Sequence, residues 1–279
     1  MKLSDLFEHN FLTDKNKIEN WLIEMRIKNY TINNNGIVDV DGIVDISNKN
    51  LTYIPVQFGS ISENFYCYEN MLTSLRGSPK EVGGDFYCAY NRLTSLQGAP
   101  REINGYFDCS NNELTTLRGA PIEIGGSFDC SNNQLTSLLD GPKEIGNNFT
   151  CYGNKLTSLK GSPLKIDGSF NCYNNNLTTL EGGPKEVGNN FNCYNNDLVT
   201  LNGAPKKIGN IFNCSGNKLE SLLGGPEEVG GDFICSYNNL TSLKHAPREV
   251  GGNFDCKRNN FKSEPDHSFI NIGGDFIWK

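Results

Sequence analysis

Phe86-Tyr87-Cys88-Ala89-Tyr90-Asn91-Arg92-Leu93-Thr94-Ser95-Leu96-Gln97-Gly98-Ala99-Pro100-Arg101-Glu102-Ile103-Asn104-Gly105-Tyr106 is one full period of this chain, and Phe107 starts the next. The ten cysteines mark the repeat. They run from Cys67 to Cys256 at a constant spacing of 21 residues, with no cysteine elsewhere. A fixed period of this length over many units defines a solenoid, in which each residue's place in the repeat decides where it points.

With Cys as origin, Phe lies two before it in every unit, from Phe65 to Phe254, and Asn three after it, from Asn70 to Asn259. Leu follows by five, with Phe261 in the last unit, and a second Leu by eight, from Leu75 to Leu243. Pro follows by twelve, from Pro79 to Pro247, and Val or Ile by fifteen. Phe-x-Cys alternates like a short strand with both apolar side chains inward, so successive units predict a parallel β-sheet. The recurrent Asn is predicted to satisfy backbone groups of the adjoining turn as an asparagine ladder. Leu-Thr-Ser-Leu followed by Pro leaves no room for a helix, so the opposite wall is predicted to be extended or polyproline-like. Gly-Gly then turns the chain into the next strand. Gly recurs ten residues after Cys, except at Asp140 and His245. Both residue types tolerate positive φ, so His245 reads as a turn residue.

A degenerate unit precedes the ten, with Val44-Asp45-Ile46 in the Phe-x-Cys places. Upstream, Asp14 to Lys28 carries Ile18, Trp21, Leu22 and Met25 at helical spacing, which predicts an amphipathic helix over the first rung. Residues 1–36 therefore read as an N-terminal helical cap, 37–263 as about 11 units of solenoid, and 264–279 as a C-terminal cap. In the last segment Ile272-Gly273-Gly274-Asp275-Phe276-Ile277-Trp278 imitates one more strand, offset by one residue.

The net charge of −7 and pI of about 5.1 disfavour non-specific binding to nucleic acid or an anionic membrane. No apolar run opens the chain at Met1 to His9, and no stretch approaches a membrane span, so a cytoplasmic location is expected. Cysteines stacked on parallel strands about 4.8 Å apart do not converge as disulfides require. They are expected to be free buried thiols, which suits a reducing compartment.

Segments such as Phe86-Tyr87-Cys88-Ala89-Tyr90-Asn91-Arg92-Leu93 resemble the second half of the leucine-rich repeat, L-x-x-L-x-L-x-x-N-x-L. The first Leu is displaced: Val82 comes one residue early and Gly83 takes its place. The short period and Asn-x-Leu-Thr-Ser-Leu-x-x-x-Pro resemble the bacterial short-repeat subclass, and the Gly-Gly and Cys variant is most similar to repeat proteins of tailed bacteriophages. The resemblance covers residues 38–263. It implies a leucine-rich-repeat solenoid with a parallel β-sheet on the concave face. It also implies a non-enzymatic protein-binding module in the bacterial cytoplasm that grips and blocks a host protein, such as one serving antiviral defence. A secreted effector binding a eukaryotic host protein, a self-associating structural protein and a glycan-binding protein are the alternatives.

Because inward positions are explained by packing, function is sought at the outward strand positions: three and one before Cys, and one and two after it. The first rungs offer Tyr66, Tyr68, Tyr87, Tyr90 and Tyr106, and the middle rungs Tyr152, Tyr173 and Tyr194 in one column. Asp85, Asp108, Asp129, Asp232 and Asp255 add negative charge, Asn171, Asn192 and Asn213 form a row, and Lys257 and Arg258 are the positive cluster. Tyrosine brings large contact area at low entropy cost. The candidate partner-binding residues are thus Tyr66, Tyr68, Tyr87, Tyr90, Asp108, Asp129, Tyr152, Tyr173, Tyr194, Asn171, Asn192, Lys257 and Arg258, and these tyrosines are expected to be dispensable for folding. The pairs after Pro, such as Lys80-Glu81, are mixed in sign and read as a solvated edge. The three histidines, His9, His245 and His267, lack metal-ligand spacing, and no nucleophile elbow or phosphate loop is present. No catalytic residue, metal or cofactor is expected.

Overall fold

A computed structural model describes residues 11–279, which leaves His9 and the reading of Met1 to His9 outside the described residues. Phe-x-Cys forms the expected strands. Twelve two-residue strands, from Val44–Asp45 through Phe65–Tyr66 and its repeats to Phe276–Ile277, pair in parallel in chain order as the first ladder. Each repeat residue pairs with its equivalent one period away: Phe86 lies opposite both Phe65 and Phe107. The inward phenylalanines form a continuous column, with ring centroids 5.0–5.7 Å apart from Phe65 to Phe276. The cysteines are free and buried beside them, and the two leucines of each unit close the core.

The wall after Pro is extended, and it is also paired, which the sequence reading did not include. Dipeptides such as Glu81–Val82 and Glu102–Ile103 form a second parallel ladder, with Val or Ile inward. It divides between Glu144–Ile145 and Lys165–Ile166 into sheets of seven and six strands. Between the ladders the rungs approach so closely that a Cβ on Gly209 would collide with the carbonyl oxygen of Gly188.

The asparagine ladder stitches the rungs together. Asn91 Nδ2 donates to the carbonyls of Cys67 (2.9 Å) and Cys88 (3.2 Å), while its Oδ1 accepts from the Leu72 amide (2.9 Å). The same set recurs at Asn112, Asn133, Asn154, Asn175, Asn196, Asn217 and Asn238, all buried. Each such side chain offers both a donor and an acceptor to the backbone of two rungs, and the Cys67 and Cys88 carbonyls are each shared by two successive asparagines, which is why Asn fills the place in all ten cysteine units. His245 adopts φ +68° and Asp140 φ +63°, as expected of turn residues in a glycine position.

The N-terminal cap differs from expectation. The helix is shorter, α1 (Lys15–Glu24), with Asp14 Oδ1 accepting from the Lys17 amide at its N-cap and Arg26 at φ +60° ending it. Ile18 and Leu22 are buried, and Trp21 packs 6.3 Å from the Phe58 ring. An antiparallel hairpin follows, Tyr30–Ile32 with Ile37–Val40, and its second strand opens the second ladder against Gln57–Ile61. At the other end Asn271–Ile272 and Phe276–Ile277 pair 22 residues on from Glu249–Val250 and Phe254–Asp255, which is the expected one-residue offset. Trp278 occupies the Cys place and packs on the core.

Candidate binding surface

Outward side chains of the first ladder stand in columns because each strand repeats the last in register. In the column after Cys, Tyr152, Tyr173 and Tyr194 stack face to face at 4.4 Å and 4.3 Å, with ring planes within 8°. All three are half-buried by one another. Burial first, then the neighbouring phenols, push the Tyr173 hydroxyl above the usual tyrosine range. The rings therefore add stability as well as surface, since two ring contacts are worth about 0.5–1.5 kcal/mol each. Beside the stack, Asn192 Nδ2 donates to Asn171 Oδ1 at 2.8 Å, while Asn213 Oδ1 accepts from the Ser215 amide and hydroxyl.

The first rungs are built differently. Tyr66 and Tyr87 are tilted by 41° at 5.3 Å, Tyr87 and Tyr106 by 71° at 5.4 Å, and Tyr66 and Tyr68 by 80° at 6.2 Å. Next in column, Asp108 pairs directly with Tyr87 on one side and with Asp129 on the other. Asp108 is half-buried, and that burial pushes its carboxyl up against the lowering effect of hydrogen bonds from Ser110. The Tyr106 hydroxyl donates to Asp129 Oδ2 at 3.2 Å and is held protonated by burial and by that carboxylate.

Other proposed residues have structural duties. Asp85 and Asp232 accept from the amides of Tyr106 and Asn253 one rung on, both at 2.7 Å, so part of their role is backbone satisfaction. The positive cluster is corrected: Lys257 Nζ pairs with Asp255 Oδ2 at 2.8 Å, so its charge is met within its own strand. Tyr90 and Arg258 occupy the place two after Cys, which has positive φ in every rung. Asn or Gly fills that place in seven of the eleven rungs; Glu69, Tyr90, Tyr237 and Arg258 fill the rest. A side chain there without Asn's local hydrogen bonding costs about 1–2 kcal/mol, so the two exposed tyrosines are held at a conformational cost.

A surface groove of about 1290 Å³ follows the second ladder and not the tyrosine columns. It is lined by Lys165, Glu186, Lys207, Glu228 and Glu249 together with the glycines of the corner. The solvated edge expected after Pro is a strand whose outward row begins with Glu81, Glu102, Glu123 and Glu144 in direct register. Farther along the row Lys165, Glu186, Lys207 and Glu228 alternate in sign, with Lys207 paired to Glu228 at 2.6 Å, and Glu249 then follows Glu228.

These two ladders, the asparagine stitching and the 21-residue period define a leucine-rich-repeat solenoid. No protein-family model matches the chain, and no curated protein matches it in sequence. Among solved structures, YopM, a leucine-rich effector protein from Yersinia pestis, is 17% identical over 85% of this chain and 88% of its own, with a TM-score of 0.35. At that score the likeness bears on neither the site nor the activity. Among the described residues no helix is long and apolar enough to cross a membrane.

Proposed function

We propose that the chain is a protein-binding module whose partner docks on the outward columns of the first ladder. The observation that carries this reading is the concentration of tyrosine there: Tyr66, Tyr68, Tyr87, Tyr90, Tyr106, Tyr152, Tyr173, Tyr194 and Tyr237 are nine of the eleven tyrosines of the chain. The core does not require them, since other rungs carry Ser, Thr or Asn at the same places with the same backbone pairing. Rigid aromatic anchors on a fixed sheet lose little conformational entropy on binding. The resemblance of the repeat unit to tailed-phage proteins supports a bacterial host protein as the partner, with inhibition of antiviral defence as the outcome.

A pull-down from bacterial lysate, wild type beside Tyr152→Thr/Tyr173→Thr/Tyr194→Thr, tests the reading. A protein retained by the wild type and lost with the variant is expected. Thr is a strand former already present on this face at Thr150, and circular dichroism verifies the fold. Identical retention by both proteins would overturn the reading. The groove over the second ladder favours that surface as the rival site.

A further inference from the structure

We propose that the tilted tyrosine patch at the start of the first ladder recognises a cationic side chain, arginine or lysine, on a basic segment of the partner. This rests on the protein-binding reading and adds the partner's chemistry to it.

The charge of the whole face comes first. In the four outward columns, from the rung of Val44 to that of Phe254, there are seven acidic residues and two basic ones, and both basic residues lie on the last rung. Over the rungs that carry Tyr66, Tyr87 and Tyr106 the columns hold carboxylates and no lysine or arginine. Among the described residues, no carboxylate of that region lies in an ion pair. Asp108 and Asp129 face each other directly across two strands, and like charges so placed repel. Each has one oxygen occupied by a backbone amide, Ser110 at 2.9 Å and Ser131 at 2.8 Å, and Asp129 Oδ2 also accepts from the Tyr106 hydroxyl at 3.2 Å, contacts that leave both negative charges without a cation. An incoming cation would relieve that repulsion.

The aromatic geometry makes the second part of the case. In the Tyr152–Tyr173–Tyr194 stack the inner ring faces are consumed by one another. Tyr66, Tyr87 and Tyr106 meet edge to face or tilted, which leaves part of each π-face open beside the carboxylates. Open tyrosine faces flanked by unpaired negative charge attract a guanidinium or ammonium group. The open tyrosine faces favour an organic cation, which pairs its charge with a π-face as well as with the carboxylates. Glu69 and Tyr90, placed at a positive-φ position despite its cost, extend the same aromatic and acidic character along one edge of the patch.

The test uses the full chain and three fluorescein-labelled hexapeptides, alternating glycine with arginine, lysine or glutamine. Fluorescence anisotropy reads affinity and backbone amide shifts locate the contact. The arginine and lysine peptides are expected to bind, to shift amides between residues 66 and 131 of the first ladder, and to be released by 0.5 M salt, while the glutamine peptide does not bind. Asp108→Asn/Asp129→Asn is expected to weaken binding at least ~10-fold, as loss of close charge pairs at an interface does. Asparagine keeps the acceptor for the Ser110 and Ser131 amides, and the salt arm needs no variant. Equal binding by the glutamine peptide, no binding by any peptide, unchanged affinity in the Asn variant, or shifts confined to the Glu81–Glu144 row would overturn the proposal. A partner lost with the Tyr152, Tyr173 and Tyr194 variant, yet indifferent to salt and to Asp108→Asn/Asp129→Asn, would also overturn it while leaving the docking face intact.

Discussion

Raising the pH should unfold this protein through its cysteines. All ten thiols are free and buried, and burial drives each above its ordinary value of 9.0, with Cys256, the least enclosed, pushed up to about 12. Below pH 9 folded and unfolded chains both keep these thiols protonated, so their contribution is flat. Above pH 9 the unfolded chain loses protons that the folded chain retains, and stability falls as pH rises. Each thiol forfeits about 0.4 kcal/mol at pH 9 and about 1.4 kcal/mol at pH 10 by this linkage. Ten together forfeit about 4 and about 14 kcal/mol, against a typical domain stability of roughly 5–15 kcal/mol. Urea unfolding followed by circular dichroism at pH 7, 8, 9 and 10, with reductant present, should show a plateau and then a steep loss. Cys130→Ala/Cys172→Ala should reduce the loss between pH 8 and pH 10 by about 3 kcal/mol. Equal stability at pH 8 and pH 10, or the same pH dependence in the double variant, would refute the sealed-thiol account.

Three further outcomes follow from the columns. Tyr173→Ala, which removes two ring contacts, should destabilise by about 1–3 kcal/mol, roughly twice the effect of Tyr152→Ala or Tyr194→Ala, in urea titrations at neutral pH. Asn154→Leu strands the Leu135 amide and leaves the Cys130 and Cys151 carbonyls with one asparagine donor each, from Asn133 and Asn175, so a loss of about 1–3 kcal/mol is expected in the same assay. Tyr90→Asn and Tyr237→Asn relieve the cost of positive φ and should each stabilise by about 1 kcal/mol; thermal melts rising by nothing, or falling, would contradict this.

The period was legible because Phe-x-Cys and the invariant Asn repeat with their geometry, and the positive φ at Asp140 and His245 followed from the register alone. The second ladder was not, because Glu81–Val82 is two residues long between Pro79 and Gly83-Gly84. Its hydrogen-bond partners lie a whole period away, and two residues show no alternation. The hairpin left a signal that the helical-cap reading passed over. Asn33-Asn34-Asn35-Gly36 separates Tyr30–Ile32 from Ile37–Val40, and Asn-Gly between apolar runs marks a turn. At the candidate surface, the tyrosine columns were visible in the sequence, but their mutual stacking, which makes them part of the fold's stability, depends on ring orientation. The charge of Lys257 was misjudged for a local reason: Asp255, two residues earlier on the same strand, points to the same side and pairs with it.

The central claim is that the first ladder, not the grooved second one, meets the partner. Capture of a protein from bacterial lysate should be compared between two folded variants, Tyr152→Thr/Tyr173→Thr/Tyr194→Thr on the first ladder and Lys207→Glu/Glu228→Lys in the groove. Loss of the captured protein with the tyrosine variant alone is the predicted result. Retention by that variant and loss with the groove variant would contradict it and move the binding surface to the second ladder.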